Sequence, residues 1–204
     1  AAVSVAIIRA LSGFLGHPLP DDRVNALTFE VEKLHHGTPS GIDNTVVTYA
    51  RPVYFIKGEP IKKLEIRYPF TLVIGDTGVV SPTAAAVGDV RLAYEAQPKI
   101  FENYFTMCGK IATNAALSIK NGRNSSLGPL MNDNHGILQK MGVSSSELDH
   151  LVDAAREAGA LGAKLSGGGR GGNMIALVET DRAEAVAQTL ENAGAVRTII
   201  TQVG

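Results

Sequence analysis

A single cysteine, Cys108, is all the chain holds for disulfide chemistry, so no internal bridge is available and a reducing, cytoplasmic setting is expected. It lies in an apolar stretch with Phe105, Met107 and Ile111, where free cysteine behaves as core filler rather than as a nucleophile. Neither sign of charge dominates: 19 Lys and Arg stand against 20 Asp and Glu, a net charge of -1. Nucleic acid and anionic membrane are therefore not expected partners, because both call for clustered cations. No apolar run approaches the ~20 residues of a membrane-spanning helix, and no charged segment leads into the apolar core of a signal peptide. The Gly-x-Ser-x-Gly elbow of hydrolases is missing. No ligand set with metal spacing accompanies His35 and His36, so packed or exposed histidines are expected there.

What is present is a chain that packs a core, with 45% hydrophobic and only 19% charged residues. Its 204 residues suffice for one large domain or one and a half small ones. It opens at Ala1 without Met and enters a helical pattern with no N-cap, which leads to the expectation of a fragment starting within an element. Residues 1–15 read as a helix closed by Gly16, Pro18 and Pro20. Asp21 and Asp22 begin a second, running to about Leu34. Residues 45–49 and 53–56 read as strands, with a third at 64–66. From Phe70 the pattern changes: a buried strand over 70–74, then helices over roughly 82–96, 98–121, 124–140 and 145–158. The end alternates as strand 161–165, glycine loop, strand 173–178, helix 181–193 and strand 196–202. This is an α+β plan, with helices against an antiparallel sheet and a domain boundary near residue 68.

Three segments are candidates for chemistry. The first is Lys164-Leu165-Ser166-Gly167-Gly168-Gly169-Arg170-Gly171-Gly172-Asn173, whose glycines leave backbone N–H groups free to turn toward an anion. A flexible hairpin connection is the bland alternative. No Gly-Lys-Ser/Thr closes the loop as in a Walker A, and a strand follows where a dinucleotide fingerprint needs a helix. Arg170 reads either as a solvated side chain or as a phosphate contact. The second is Glu32 followed by His36-Gly37-Thr38-Pro39-Ser40-Gly41-Ile42-Asp43-Asn44, a turn that presents Asp43 rigidly at the start of the expected strand. Two carboxylates suffice for phosphoryl transfer, one holding a metal and one orienting or deprotonating a hydroxyl. On this segment alone, Asp43 capping its own turn is the simpler account. The third is Asp76-Thr77-Gly78-Val79-Val80-Ser81-Pro82-Thr83, where Ser81 caps a helix opening at Pro82 and the helix amides face whatever lies opposite. Asp133, Asn134 and His135 read as an ordinary polar helix face.

Together these segments resemble the GHMP kinases, and within them the mevalonate-phosphorylating branch. Residues 164–173 are similar to the family's third motif, residues 36–44 to a His-Gly-x-Pro-Ser-Gly-x-Asp-Asn segment, and residues 76–91 and 130–152 to its helical region. The resemblance implies a GHMP kinase fold: the end of an N-terminal catalytic domain over 1–68, and a ferredoxin-like C-terminal domain with a helical insert over 69–204. It also implies Asp43 as catalytic residue, Glu32 as magnesium ligand, Ser81 and Thr83 at the substrate, and Gly167, Gly168, Gly169, Gly171 and Gly172 beside the phosphates. ATP would be co-substrate, mevalonate the acceptor and Mg2+ the cofactor, in isoprenoid biosynthesis, with a homodimer left open. The family's ATP loop, its magnesium-site serine and its first-motif lysine are not among these 204 residues, so the isolated chain is expected to be inactive and poorly soluble, with Val5, Ile8 and Leu11 uncovered. The alternatives are another small-molecule kinase of the family, such as a phosphomevalonate kinase, or a non-catalytic remnant serving as a binding or assembly module.

Overall fold

The structure is a computed structural model that describes residues 1–36, 39–56, 58–80 and 82–204, the side chains of His35 and His36 excepted. The chain divides into two compact units, Ala1–Glu65 and Ile66–Gly204.

In the first unit three helices pack on one another: α1 (Ala2–Phe14), α2 (Asp21–His36) and α3 (Ile42–Tyr49). Arg9 ties them together, its Nη2 reaching Asp21 Oδ1 at 2.8 Å and the Thr48 carbonyl at 2.9 Å. Val5 is buried, contrary to expectation, whereas Leu11 is exposed. The strand expected over 45–49 is instead helix. Its run of Thr and Val suits a strand, but local and tertiary contacts override that propensity. Gly41 takes φ 88° at the N-cap, Ser40 Oγ accepts from the Ile42 amide at 3.3 Å, and Thr45 Oγ1 donates to the Gly41 carbonyl at 2.7 Å. Asn44, Thr45 and Thr48 then form a buried stripe at helical spacing. The segments 45–49 and 53–56 therefore do not pair as strands. Strand β1 (Val53–Tyr54) pairs instead with β2 (Lys62–Lys63), and 64–66 is not a strand.

The second unit is a four-stranded antiparallel sheet of order β4-β5-β3-β6, built from β3 (Phe70–Asp76), β4 (Gly162–Ser166), β5 (Asn173–Val178) and β6 (Arg197–Val203). Between β3 and β4 come α4 (Thr83–Ala96), α5 (Pro98–Lys120), α6 (Leu127–Lys140) and α7 (Ser146–Glu157). Helix α8 (Ala183–Asn192) joins β5 to β6. This is the ferredoxin-like βαββαβ plan with its first connection enlarged to four helices. Val73, Leu165, Met174 and Ala176 on one sheet face pack against Leu148, Leu151 and Val152 of α7 and Val186 and Leu190 of α8. Ser145 caps α7, its Oγ accepting from the Leu148 amide at 3.3 Å.

Strand β4 is a sheet edge, and α6 seals it. Asn132 Oδ1 accepts from the Ala163 amide at 3.0 Å, and His135 Nδ1 accepts from the Leu165 amide at 3.3 Å. Arg156 completes the seal, donating to Asn132 Oδ1 at 2.8 Å and to the Ala163 carbonyl at 3.1 Å. Edge groups that would otherwise template another strand are thereby consumed. His135, expected on an ordinary polar face, is 1% exposed, with Nε2 3.1 Å from Asp149 Oδ1. Burial holds its imidazole below the ordinary value, Asp149 pulling the other way.

Candidate functional site

The glycine-rich segment links β4 to β5, and its conformation follows from what presses on it. A Cβ at Gly169 would stand 1.9 Å from the Val143 carbonyl oxygen, and one at Gly168 would stand 2.6 Å from Thr83 Oγ1. Only bare backbone fits at either place. The loop is further pinned by main-chain bonds: Arg170 N to Val143 O at 2.9 Å, Gly172 N to Val79 O at 2.8 Å and Thr77 N to Gly172 O at 2.9 Å. These contacts argue against a flexible hairpin connection.

These contacts shape a cavity of about 420 Å³. One wall is Gly167, Gly168, Gly169, Gly171 and Gly172; the other is Asp76, Gly78, Val79, Val80 and Thr83, the last being the first residue of α4. The register explains the meeting: Asp76 at the end of β3 pairs with Asn173 at the start of β5, so both loops leave the sheet at one point. Main-chain amides and a helix N-terminus at such a cavity favour an anion. Ser81 lies outside the described residues.

Arg170 is partly exposed and engages its neighbours. It adopts φ 57°, and its guanidinium turns to Asp89 of α4 and, through Nε, to the Gly142 carbonyl at 3.0 Å. It fastens the loop to its surroundings. Asp76, Ser166 and Asn173 also line the cavity. All three stand within the candidate segments read from sequence, which gave them no role of their own. Asp76 Oδ1 accepts from the Gly78 amide at 2.9 Å, holding that turn.

In the first unit, Asp43 is exposed in the first turn of α3 rather than at a strand start. Gly37 and Thr38 of the preceding turn lie outside the described residues. Glu32 is 7% exposed on α2, its Oε1 2.7 Å from the Ala1 nitrogen, at the N-terminal end of α1. Helices α2 and α3 are bridged by Asn44 Nδ2 to Asn25 Oδ1 at 2.7 Å and by Tyr49 to Asp22. The hydrogen bond to Asp22, then burial, push the Tyr49 phenol up to about 12. Magnesium binds oxygen donors and usually takes only one or two protein carboxylates, the rest being water and phosphate. The buried Glu32 carboxylate fits that demand; among the described residues no cluster of three or more His, Cys, Asp or Glu is assembled for a metal.

Comparison with known proteins places these features in context. Residues 1–51 match the family described as GHMP kinases N terminal domain, and residues 115–196 the one described as GHMP kinases C terminal. Mevalonate kinase of Pyrococcus horikoshii is 40% identical over 203 residues, covering 96% of this chain and 59% of the relative. That of Saccharolobus solfataricus is 32% identical over 205 residues, covering 100% of this chain and 64% of the relative. The crystal structure of L. major mevalonate kinase in complex with R-mevalonate superposes with a TM-score of 0.91 at 35% identity, covering 98% of this chain and 63% of that one. Streptococcus pneumoniae phosphomevalonate kinase, at 15% identity and a TM-score of 0.79 over 97% of this chain and 66% of that one, shares the fold. The chain thus spans about 59% of the length of the Pyrococcus relative.

Proposed function

This chain belongs to the GHMP kinases, and we propose that its protein transfers the γ-phosphoryl group of ATP to the 5-hydroxyl of mevalonate, giving 5-phosphomevalonate and ADP for isoprenoid biosynthesis. The observation that carries the substrate is the extent of likeness to mevalonate kinases, which takes in both compact units rather than the glycine loop alone.

In this mechanism the amides around Gly167, Gly168, Gly169, Gly171 and Gly172, with the N-terminus of α4, hold the ATP phosphates. Thr83, and with it Ser81, orients the acceptor. The acceptor oxygen bonds to the γ-phosphorus as the bond from that phosphorus to the β–γ bridging oxygen breaks. Asp43 receives the hydroxyl proton or stabilises the charge that replaces it. Its exposure on the first turn of a helix keeps the carboxylate accessible, and its neighbours Asn44, Thr45 and Thr48 anchor that helix. Glu32 would hold the magnesium, which when bound neutralises phosphate charge.

The test is mevalonate-dependent ADP release from MgATP by the protein expressed from its complete reading frame. Turnover is expected, with Asp43→Asn lowering kcat by about 10²–10⁴ while the melting temperature holds. Near-normal turnover in Asp43→Asn would remove that residue from the chemistry. Turnover of phosphomevalonate but not of mevalonate would move the protein to the neighbouring activity.

A further inference from the structure

A second cavity in the Ile66–Gly204 unit has no part in phosphoryl transfer as described. Its volume is about 350 Å³, and it lies on the sheet face turned toward α5 and α6. Leu72 and Ile175 form its floor, Ile111 and Ala115 of α5 one wall, and Leu130 and Met131 of α6 another. The size falls within the ~300–1,000 Å³ typical of small-ligand sites, and the lining is almost wholly hydrocarbon.

One residue contradicts that character. Lys164 on β4 shares a sheet face with its register partner Ile175 and extends into the cavity wall, largely buried. Its Nζ donates to the Leu165 carbonyl at 2.6 Å. Among the described residues no carboxylate pairs with it. Cys108 and Asn134, the other polar residues of the lining, engage each other, Asn134 Nδ2 standing 3.5 Å from Cys108 Sγ. An ammonium has three donors. Held in apolar surroundings with one main-chain oxygen, it bears a desolvation cost that a matching anion would offset. Burial accordingly presses its pKa below the ordinary lysine value, with Cys108 acting in the opposite direction.

We propose that this cavity binds an aliphatic monoanion, a medium-length hydrocarbon chain ending in a carboxylate that pairs with Lys164. A neutral hydrocarbon would leave the ammonium as it is. A dianion such as an alkyl phosphate would bring a second charge into walls that hold one cation. The carboxylate matches both the single charge and the apolar volume.

The experiment is isothermal titration of the protein expressed from its complete reading frame with decanoate and, separately, with 1-decanol, both below the concentration at which they aggregate. Decanoate is expected to bind once per chain and at least tenfold more tightly than decanol, the scale of one charge-assisted hydrogen bond. Lys164→Met is expected to abolish that preference, and Ala115→Trp, which fills the cavity, to abolish binding of both. Should either variant fail to fold, the pH dependence of the unaltered chain decides. Decanoate affinity is expected to fall as pH rises through the depressed Lys164 pKa, while decanol affinity stays constant. Equal affinity for the two ligands, absence of decanoate binding, a flat decanoate pH profile, or full binding in folded Ala115→Trp would each overturn the proposal.

Discussion

Adding one methyl group at Gly169 probes whether the glycine loop is held rigidly or simply left free. Gly169 has φ 78°, and a Cβ there would meet the Val143 carbonyl oxygen at 1.9 Å. Gly172 has a similar φ of 73°, yet nothing lies within 4 Å of its Cβ position. Both alanine variants incur the left-handed backbone cost of about 1–2 kcal/mol. Only Gly169→Ala must also push away Val143, losing the Arg170 N to Val143 O bond of 2.9 Å, worth about 1 kcal/mol. The totals are about 1–2 kcal/mol for Gly172→Ala and about 2–3 kcal/mol for Gly169→Ala. At ~2–4 °C per kcal/mol for a chain of this size, the melting temperature should fall by about 2–8 °C and about 4–12 °C respectively. Differential scanning calorimetry of the two variants reads the difference directly. Equal losses would show that the clasp by Val143 contributes nothing, and the loop would then be a flexible connection after all.

His135 supplies a pH-dependent component. Its folded pKa lies below the unfolded value of ~6.5, so between the two the unfolded chain binds more protons and stability falls as pH drops through that window. Denaturant titrations at pH 7 and pH 5 should show the loss, and His135→Gln should flatten it; an unchanged slope in the variant would assign the titration elsewhere. Asn132→Ala removes the acceptor serving both the Ala163 amide and Arg156 Nε. It should cost about 1–3 kcal/mol in denaturant titration and raise hydrogen exchange at Ala163 selectively, and uniform exchange across β4 would count against the edge seal.

Much of the second unit was legible because its periodicities are long and clean. The positions of β3, β5 and α4 to α8 follow from apolar spacing that the core then uses, as with Leu148, Leu151 and Val152. Residues 45–49 were misread because Thr-Val-Val-Thr-Tyr has strand propensity, while the deciding contacts are Gly41 at positive φ and the buried stripe against α2. His135 was misread for another reason: its partner amide, Leu165, lies thirty positions away, and local pattern carries no trace of it. The glycines pointed to an anion loop from composition alone. Why they must be glycine depends on Val143 and Thr83, neighbours that only the fold brings close.

Placing four helices between β3 and β4 also sets the order in which the sheet can assemble. Strand β3 is central, flanked by β5 and β6, yet it is made first, and residues 77–161 separate it from the strand that follows. On a growing chain, Phe70-Thr71-Leu72-Val73-Ile74 waits without either partner while α4 to α7 form from local contacts. Hairpin β4–β5 closes early, and β3 joins it only across a long loop whose closure is entropically costly. The interval in which an apolar strand with two open edges stands exposed is therefore built into the topology, and it is the period in which newly made chains are most susceptible to aggregation.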